Sequence, residues 1–401
     1  MSFILDTLAS KQISDRFINF SHFIDHFIML IFAKAAYDAG KFFNLSYDEI
    51  IIYGVFGFVL FGAVAPISAH LADKFSRSLI MVNFHFGVGF SSILAGLSNN
   101  IWFLSFSIGL IGVFASIYHP VGIAMLIKTN KNIGFRLGIN GVFGNMGVAA
   151  APLITGLLLT VGDWRICFII PGIFCILYGV LFIINLKDDI SDSKKNNKTK
   201  KSVFAPNWKM ALIALAISSS CGGFIFGAMT FLIPRYFEIS MNNISTSVAI
   251  TGFFASIVFA TASFAQIIVG WIIDRFSPKK VLLFMGFGQI IFIYFASLYQ
   301  DYLLLISMLV AMVFVFGQIP ITDTIISRYV PDEWRNKVLS IKFLLNLSIG
   351  ASVLPICGVI LQAGNTMDKL FFVMSLIAII VAISALLLPN QTDAQRLDKT
   401  I

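Results

Sequence analysis

LADKFSRS, Leu71 to Ser78, and IIDRFSPKK, Ile272 to Lys280, decide how this chain is built. Each is a short charged stretch at the end of one long apolar run and the start of the next. Asp73 and Asp274 lie 201 positions apart in a chain of 401 residues. So long a period excludes a solenoid repeat and reads as the duplication of a whole helical bundle, two similar halves laid end to end.

Composition sets the class of solvent. The chain is 58% hydrophobic and 12% charged, whereas soluble domains carry roughly 25% charged residues. A soluble fold this apolar would leave large apolar patches in water. The formal charge of +8 does not point to nucleic acid, because the basic residues sit in short loops between apolar runs rather than on one face. Cys167, Cys175, Cys221 and Cys357 all fall inside apolar runs, which predicts free thiols. Met1 to Arg16 lacks the apolar core and small-residue cleavage site of a signal peptide and reads as an amphipathic lead-in.

Runs of about 20 apolar residues, enough to cross a bilayer, fall near 17–38, 47–72, 78–97, 101–127, 135–160 and 164–186. A second six fall near 209–237, 245–274, 280–299, 301–329, 337–363 and 368–389. The expected fold is an all-α polytopic membrane protein, with twelve transmembrane helices in two six-helix bundles, 1–186 and 209–401. Between them, 187–208 is a polar, lysine-rich cytoplasmic linker. All but six of the 28 Lys and Arg fall on the side of the N-terminus and linker, the exceptions being Lys34, Lys41, Arg165, Arg235, Lys342 and Lys369. This bias places both termini in the cytoplasm.

Twelve helices as six plus six, with acid–base loops after the second and eighth, resemble the major facilitator superfamily. That family's loop runs glycine, Asp, Arg or Lys, glycine, then a basic pair. Gly270, Asp274, Arg275, Lys279 and Lys280 follow it except that Ser277 replaces the second glycine. In the first copy Ala69 and Ser76 replace both glycines, while Asp73, Lys74 and Arg77 remain. The resemblance implies cytoplasmic gating loops. A narrower likeness, to the fosmidomycin-resistance branch, runs through HFIDHF (His22–Phe27), LSYDE (Leu45–Glu49), YHPVGIAMLIK (Tyr118–Lys128), FRLGINGVFGNMGVAAAP (Phe135–Pro152) and DWRICFIIPG (Asp163–Gly172). It implies secondary active transport of a small organic solute by alternating access in a bacterial inner membrane, with helices 1, 4, 7 and 10 around a central cavity.

Ionisable residues inside a bilayer are costly and mark function by default. His22, Asp25 and His26, at i, i+3 and i+4, share one face of the first helix, and the resemblance brings His119 of the fourth towards them. A carboxylate beside imidazoles can take and release a proton near neutral pH. The set therefore reads as the proton-coupling group, with a hydrogen-bonded structural cluster as the competing reading. Cavity candidates are Lys34, Tyr118, Asn140 and Asn145 in the first half, and Ser219, Gln318, Asp323, Lys342 and Asn346 in the second. Lys34 alternatively snorkels to the outer interface. Asp323 and Lys342 read as a pair, either a gate or structural, and Arg235 and Glu238 as an interfacial pair at i, i+3. His85 reads as structural, and Gln266 and Gln289 as weaker candidates.

Gly138, Gly141, Gly144 and Gly147 recur every third residue, as close helix packing in lipid requires, whether static or rocking. The 42 phenylalanines are spread over every helix and define no cage. There is no GxxxxGK[ST] loop, so ATP-driven pumping is not expected. HxxDH lacks the Glu of a zinc protease helix, so no metal is expected, although His22 and His26 have the spacing to bind a cation. The expectation is a monomer in lipid, not an enzyme, without cofactor or nucleic-acid partner, moving a small molecule with protons. Efflux of drug-like solutes and uptake of an anionic metabolite both stand; Lys34 and Lys342 favour the anion. A receptor would usually add a signalling domain. An intramembrane enzyme would need a nucleophile that the His22/Asp25/His26 set lacks.

Overall fold

The computed structural model describes residues 11–126, 133–188, 204–273 and 275–389. Most of the expected linker, 189–203, lies outside the described residues, as do Asp274 and the side chain of Asp73.

Among the described residues every expected span lies mainly on helix. The first half holds α1 (Asp15–Phe43), α2, α3 (Arg77–Gly96), α4, α5 (Ile133–Val161) and α6 (Ile166–Ile184). Two of these are composite: α2 runs as Tyr47–Ile50, Ile51–Gly54, Val55–Ala63 and Ala65–Lys74, and α4 as Ile101–Ala115, Tyr118–Gly122 and Ile123–Leu126. The second half holds α7 (Trp208–Ser240), α8 (Val248–Ile273), α9 (Pro278–Leu298), α10 (Asp301–Gly317 and Ile319–Tyr329), α11 (Asp332–Gln362) and α12 (Met367–Leu386). Among the described residues nine helices are long and apolar enough to cross a membrane, or ten if α1 and the start of α2 are taken as one bent span. Within α11, Ser348–Gln362 is a shorter apolar helix among the described residues. Among the described residues the one strand pairing is a two-residue antiparallel match of Lys11–Gln12 with Lys187–Asp188.

Large apolar side chains such as Phe90, Trp102, Phe106, Leu177, Ile268 and Phe284 point outward and are more than one-third exposed. That inverts the pattern of a water-soluble surface and suits a lipid environment. The protein is an integral membrane protein.

Local chemistry explains the breaks. Asn44 sits at φ 57°, ψ 41° as the C-cap of α1. Ser46 and Glu49 then form a capping box that starts α2, with the Ser46 N–H donating to Glu49 Oε2 at 2.8 Å. Pro120 lies inside Tyr118–Gly122, a single π turn in α4, where its missing N–H widens the helix. Pro320 likewise opens the second segment of α10 after a break at Gln318. The serines that replace loop glycines have a role of their own. Ser76 Oγ accepts from the Leu79 N–H at 3.0 Å and Ser277 Oγ from the Lys280 N–H at 3.4 Å, capping α3 and α9.

The residues divide into two compact units. One comprises Met1–Asp192, Phe231–Ala260 and Leu354–Gln362; the other comprises Ser193–Thr230, Thr261–Val353 and Ala363–Ile401. The first unit therefore includes parts of α7, α8 and α11 as well as α1 to α6, a division that does not follow 1–186 and 209–401.

Candidate functional site

In the first unit, α1 and α5 lie unusually close. A Cβ at Gly147 would fall on the Phe23 carbonyl, and one at Gly144 would meet the His22 ring at 2.6 Å. This approach brings Asn140 against α1, where its side-chain amide donates to Asn19 Oδ1 at 2.9 Å and to the Tyr118 hydroxyl at 2.6 Å. Tyr118 in turn donates to the Ile18 carbonyl at 3.2 Å. His22 stacks on Tyr118, ring centroids 4.6 Å apart, and its Nδ1 donates to the Asn140 carbonyl at 2.8 Å. That bond leaves the lone pair of a neutral His22 on Nε2, which faces His26 Nε2 at 3.1 Å.

The π turn delivers His119 to the same place. His119 Nε2 is 3.5 Å from Asp25 Oδ2. Asp25 is fully buried, and neither of its oxygens has a hydrogen-bond partner. A buried carboxylate without a donor is stable only when protonated or close to a cation. His22, His26 and His119 thus gather with Tyr118 and Asn140, and Asp25 adjoins them through His119. Asn145 is buried further along α5. His85 stands apart, fully buried, with Nε2 3.0 Å from Ser21 Oγ.

Lys34 is buried too, but it is engaged by charge. It forms an ion pair with Glu238, their side chains only 1% and 7% exposed, and donates to Thr251 Oγ1 at 3.0 Å. Glu238 also accepts from Arg235 at 2.8 Å, and the Arg235 guanidinium lies 3.4 Å from the Tyr37 ring centroid. Lys34, Arg235 and Glu238 thus form one buried network inside the first unit.

The second unit has its own polar knot. Gln318 Nε2 donates to the Ser218 carbonyl at 2.9 Å, while its Oε1 accepts from Gln289 Nε2 at 2.8 Å, tying α7, α9 and α10. The Ser219 hydroxyl and Asn346 Oδ1 are buried without hydrogen-bond partners. Lys342 pairs with Asp323, whose side chain is 57% exposed, so the pair is not sequestered.

In the loops, the basic residues dock on carbonyls. Arg77 Nη1 donates to the Ala124 carbonyl at 3.2 Å, and Lys279 Nζ to the Leu386 carbonyl at 3.0 Å at the end of α12. Arg275 Nη1 donates to the Trp271 carbonyl at 3.0 Å and lies over its ring. Helix C-termini leave carbonyls unsatisfied and favour cations. Lys74 is exposed.

Sequence reasoning missed Asn19, Thr251, Arg328 (which donates to the Ile273 carbonyl at 2.7 Å) and the Arg136–Asp15 ion pair. Only Asn19 left a signal, since it lies three residues before His22 on the same helix face.

The sequence profile of the Major Facilitator Superfamily matches residues 17–244 and 240–400. "Multidrug resistance protein MdtG" of Escherichia coli (strain SMS-3-5 / SECEC) is 27% identical over 230 residues, 56% of this chain and 56% of that protein. The protein of the same name from Escherichia fergusonii is 26% identical over the same share. The chain thus spans a little over half the length of the curated relatives it matches. Among solved structures, a bacterial homolog to the human lysosomal transporter Spinster, inward-facing and occupied, aligns with a TM-score of 0.71 at 15% identity, over 96% of this chain and 95% of that one. A peptide transporter POT in complex with sulfate aligns with a TM-score of 0.73 at 14% identity, over 99% of both chains. At these identities the likeness is one of fold.

Proposed function

The chain belongs to the Major Facilitator Superfamily, and from that premise we propose that it is a secondary active transporter of small organic solutes. It works by alternating access between bundles 1–186 and 209–401 joined by the linker 187–208. It sits as a monomer in a bacterial inner membrane with both termini cytoplasmic, and catalyses no covalent chemistry. The family match across both halves carries this reading.

Coupling is to protons through Asp25. The supporting observation is its complete burial with no donor on either oxygen, beside the imidazole of His119, which clusters with His22 and His26. Protonation removes the charge that the surrounding apolar packing cannot solvate, and deprotonation restores it when the site is hydrated. Tyr118 and Asn140 hold His22 in place, and Ser219, Gln318 and Asn346 supply uncharged polar groups in the second half. The loops around Asp73, Lys74 and Arg77 and around Asp274, Arg275 and Lys279 act as latches at helix ends.

Efflux is the favoured direction. The relatives named for multidrug resistance support it. The uptake reading leaned on Lys34 and Lys342 as anion receptors, and both are engaged by carboxylates.

The test is purified protein in proteoliposomes containing a pH-sensitive dye, challenged in turn with cationic drugs and small organic anions. Protons moving against a cationic or amphiphilic drug are the expected result. Protons moving with an anion would replace efflux by symport. Solute flux without proton movement would remove the coupling, and no flux with any compound would remove transport.

A further inference from the structure

The three histidines that meet beside Asp25 have a second chemistry. Each offers one ring nitrogen, and the three nitrogens lie within 4.8 Å of one another. We infer that His22, His26 and His119 form a binding site for a divalent transition-metal cation of the Zn2+ class. This goes beyond the transport reading and does not need it, because the binding is a property of the folded chain alone.

Four observations carry it. First, Zn2+ bonds imidazole nitrogen at about 2.0–2.1 Å, which in a tetrahedral site sets nitrogens about 3.3 Å apart. His22 Nε2 and His26 Nε2 stand 3.1 Å apart, so that pair is already at ligating distance, and drawing in the third requires a shift on the order of 1 Å. Second, the outer shell is built. His22 Nδ1 donates to the Asn140 carbonyl at 2.8 Å, which sets the tautomer with the Nε2 lone pair directed at His26 Nε2; a cation takes the place of the proton between them when His26 carries its own on Nδ1. Third, Asp25 Oδ2 lies 3.5 Å from His119 Nε2, within reach of the carboxylate–histidine arrangement that raises ligand basicity once His119 ligates through Nδ1 and donates from Nε2. Its buried oxygens lack any hydrogen-bond partner, so a nearby dication supplies the charge the carboxylate is missing. Fourth, His26 and His119 are only partly buried, leaving an edge through which an ion enters. Imidazole ligands select Zn2+, Co2+ and Ni2+ over Mg2+ or Ca2+, which prefer oxygen.

The experiment uses the full chain in detergent, with any affinity tag removed, titrated with Co2+ and followed by visible absorption. A d–d band of tetrahedral intensity saturating at one Co2+ per chain, and bleached by stoichiometric Zn2+, is expected. His26→Gln and His119→Gln should each abolish the band while keeping a monodisperse elution profile. His70→Gln, which removes an exposed histidine outside the cluster, should leave it intact. Asp25→Asn should weaken binding roughly 10–100-fold, as loss of an outer-shell partner does. No band at all in well-folded protein overturns the site, as does a band that survives in both His26→Gln and His119→Gln.

Discussion

Asp25 is the residue on which the proton-coupling reading turns. Asp25→Asn keeps the shape of the side chain but cannot cycle between charged and neutral forms. Proton-driven accumulation should vanish, while counterflow, which needs no net proton movement, persists. For one proton exchanged per solute, the loss is the roughly tenfold accumulation that a one-unit pH gradient supports. Unchanged accumulation in reconstituted vesicles would assign the coupling elsewhere. The Lys34 network makes an ordering prediction. Glu238 holds both Lys34 and Arg235, so Glu238→Gln leaves a buried cation uncompensated and should destabilise by about 3–5 kcal/mol. Lys34→Met leaves Glu238 with Arg235 and should cost distinctly less. Thermal unfolding in detergent reads both, and the reverse order would mean that Arg235 contributes little to holding Glu238. Individual residues of this kind were only half legible in the sequence. His22, Asp25 and His26 announced themselves by helical spacing. The partner of Lys34 did not, because Glu238 is 204 positions away and already had a plausible neighbour in Arg235.

Among the elements, the pairing of α1 with α5 controls the site. At Gly147 the Phe23 backbone occupies the space a Cβ would need, whereas at Gly138 there is nothing within 4 Å. Gly147→Ala should therefore push the helices apart and cost about 1–3 kcal/mol, taking the His22–Asn140 bond with it. Gly138→Ala should be neutral or stabilise by up to about 1 kcal/mol, because alanine is the better helix former. Comparable melting temperatures for the two variants would refute the close approach. The stripe of four glycines was visible in the sequence, but its members are not equivalent. Spacing places residues on a face; only the neighbour decides which of them a side chain would injure. The loop serines follow the same logic. Ser76 and Ser277 look like losses of a family glycine until the structure shows each capping the helix that follows it.

For the whole molecule, the compact unit built on α1 to α6 also takes in Phe231–Ala260 and Leu354–Gln362. The first half made alone would thus leave Lys34 buried without Glu238. A chain split within 187–208 and expressed as two pieces should co-purify as a complex, while the first piece alone should aggregate or degrade. Glu238→Gln in the second piece should weaken recovery of the complex; recovery of a stable, monodisperse first piece by itself would contradict this. The fold class and the helical character of the apolar runs were determined by the sequence alone, and the duplication was read from it. Each rests on local quantities: the length of an apolar run, the spacing of a repeated loop, and the density of charge between runs. The tertiary structure decided which polar groups meet. It brought His119 to Asp25 through a π turn at Pro120, paired Lys34 with Glu238, and set Gln289 beside Gln318. In a chain this apolar, buried polar side chains are few and far apart in sequence, and each is satisfied by whichever helix packs against it. That choice belongs to the packing of helices and leaves no periodic trace along the chain.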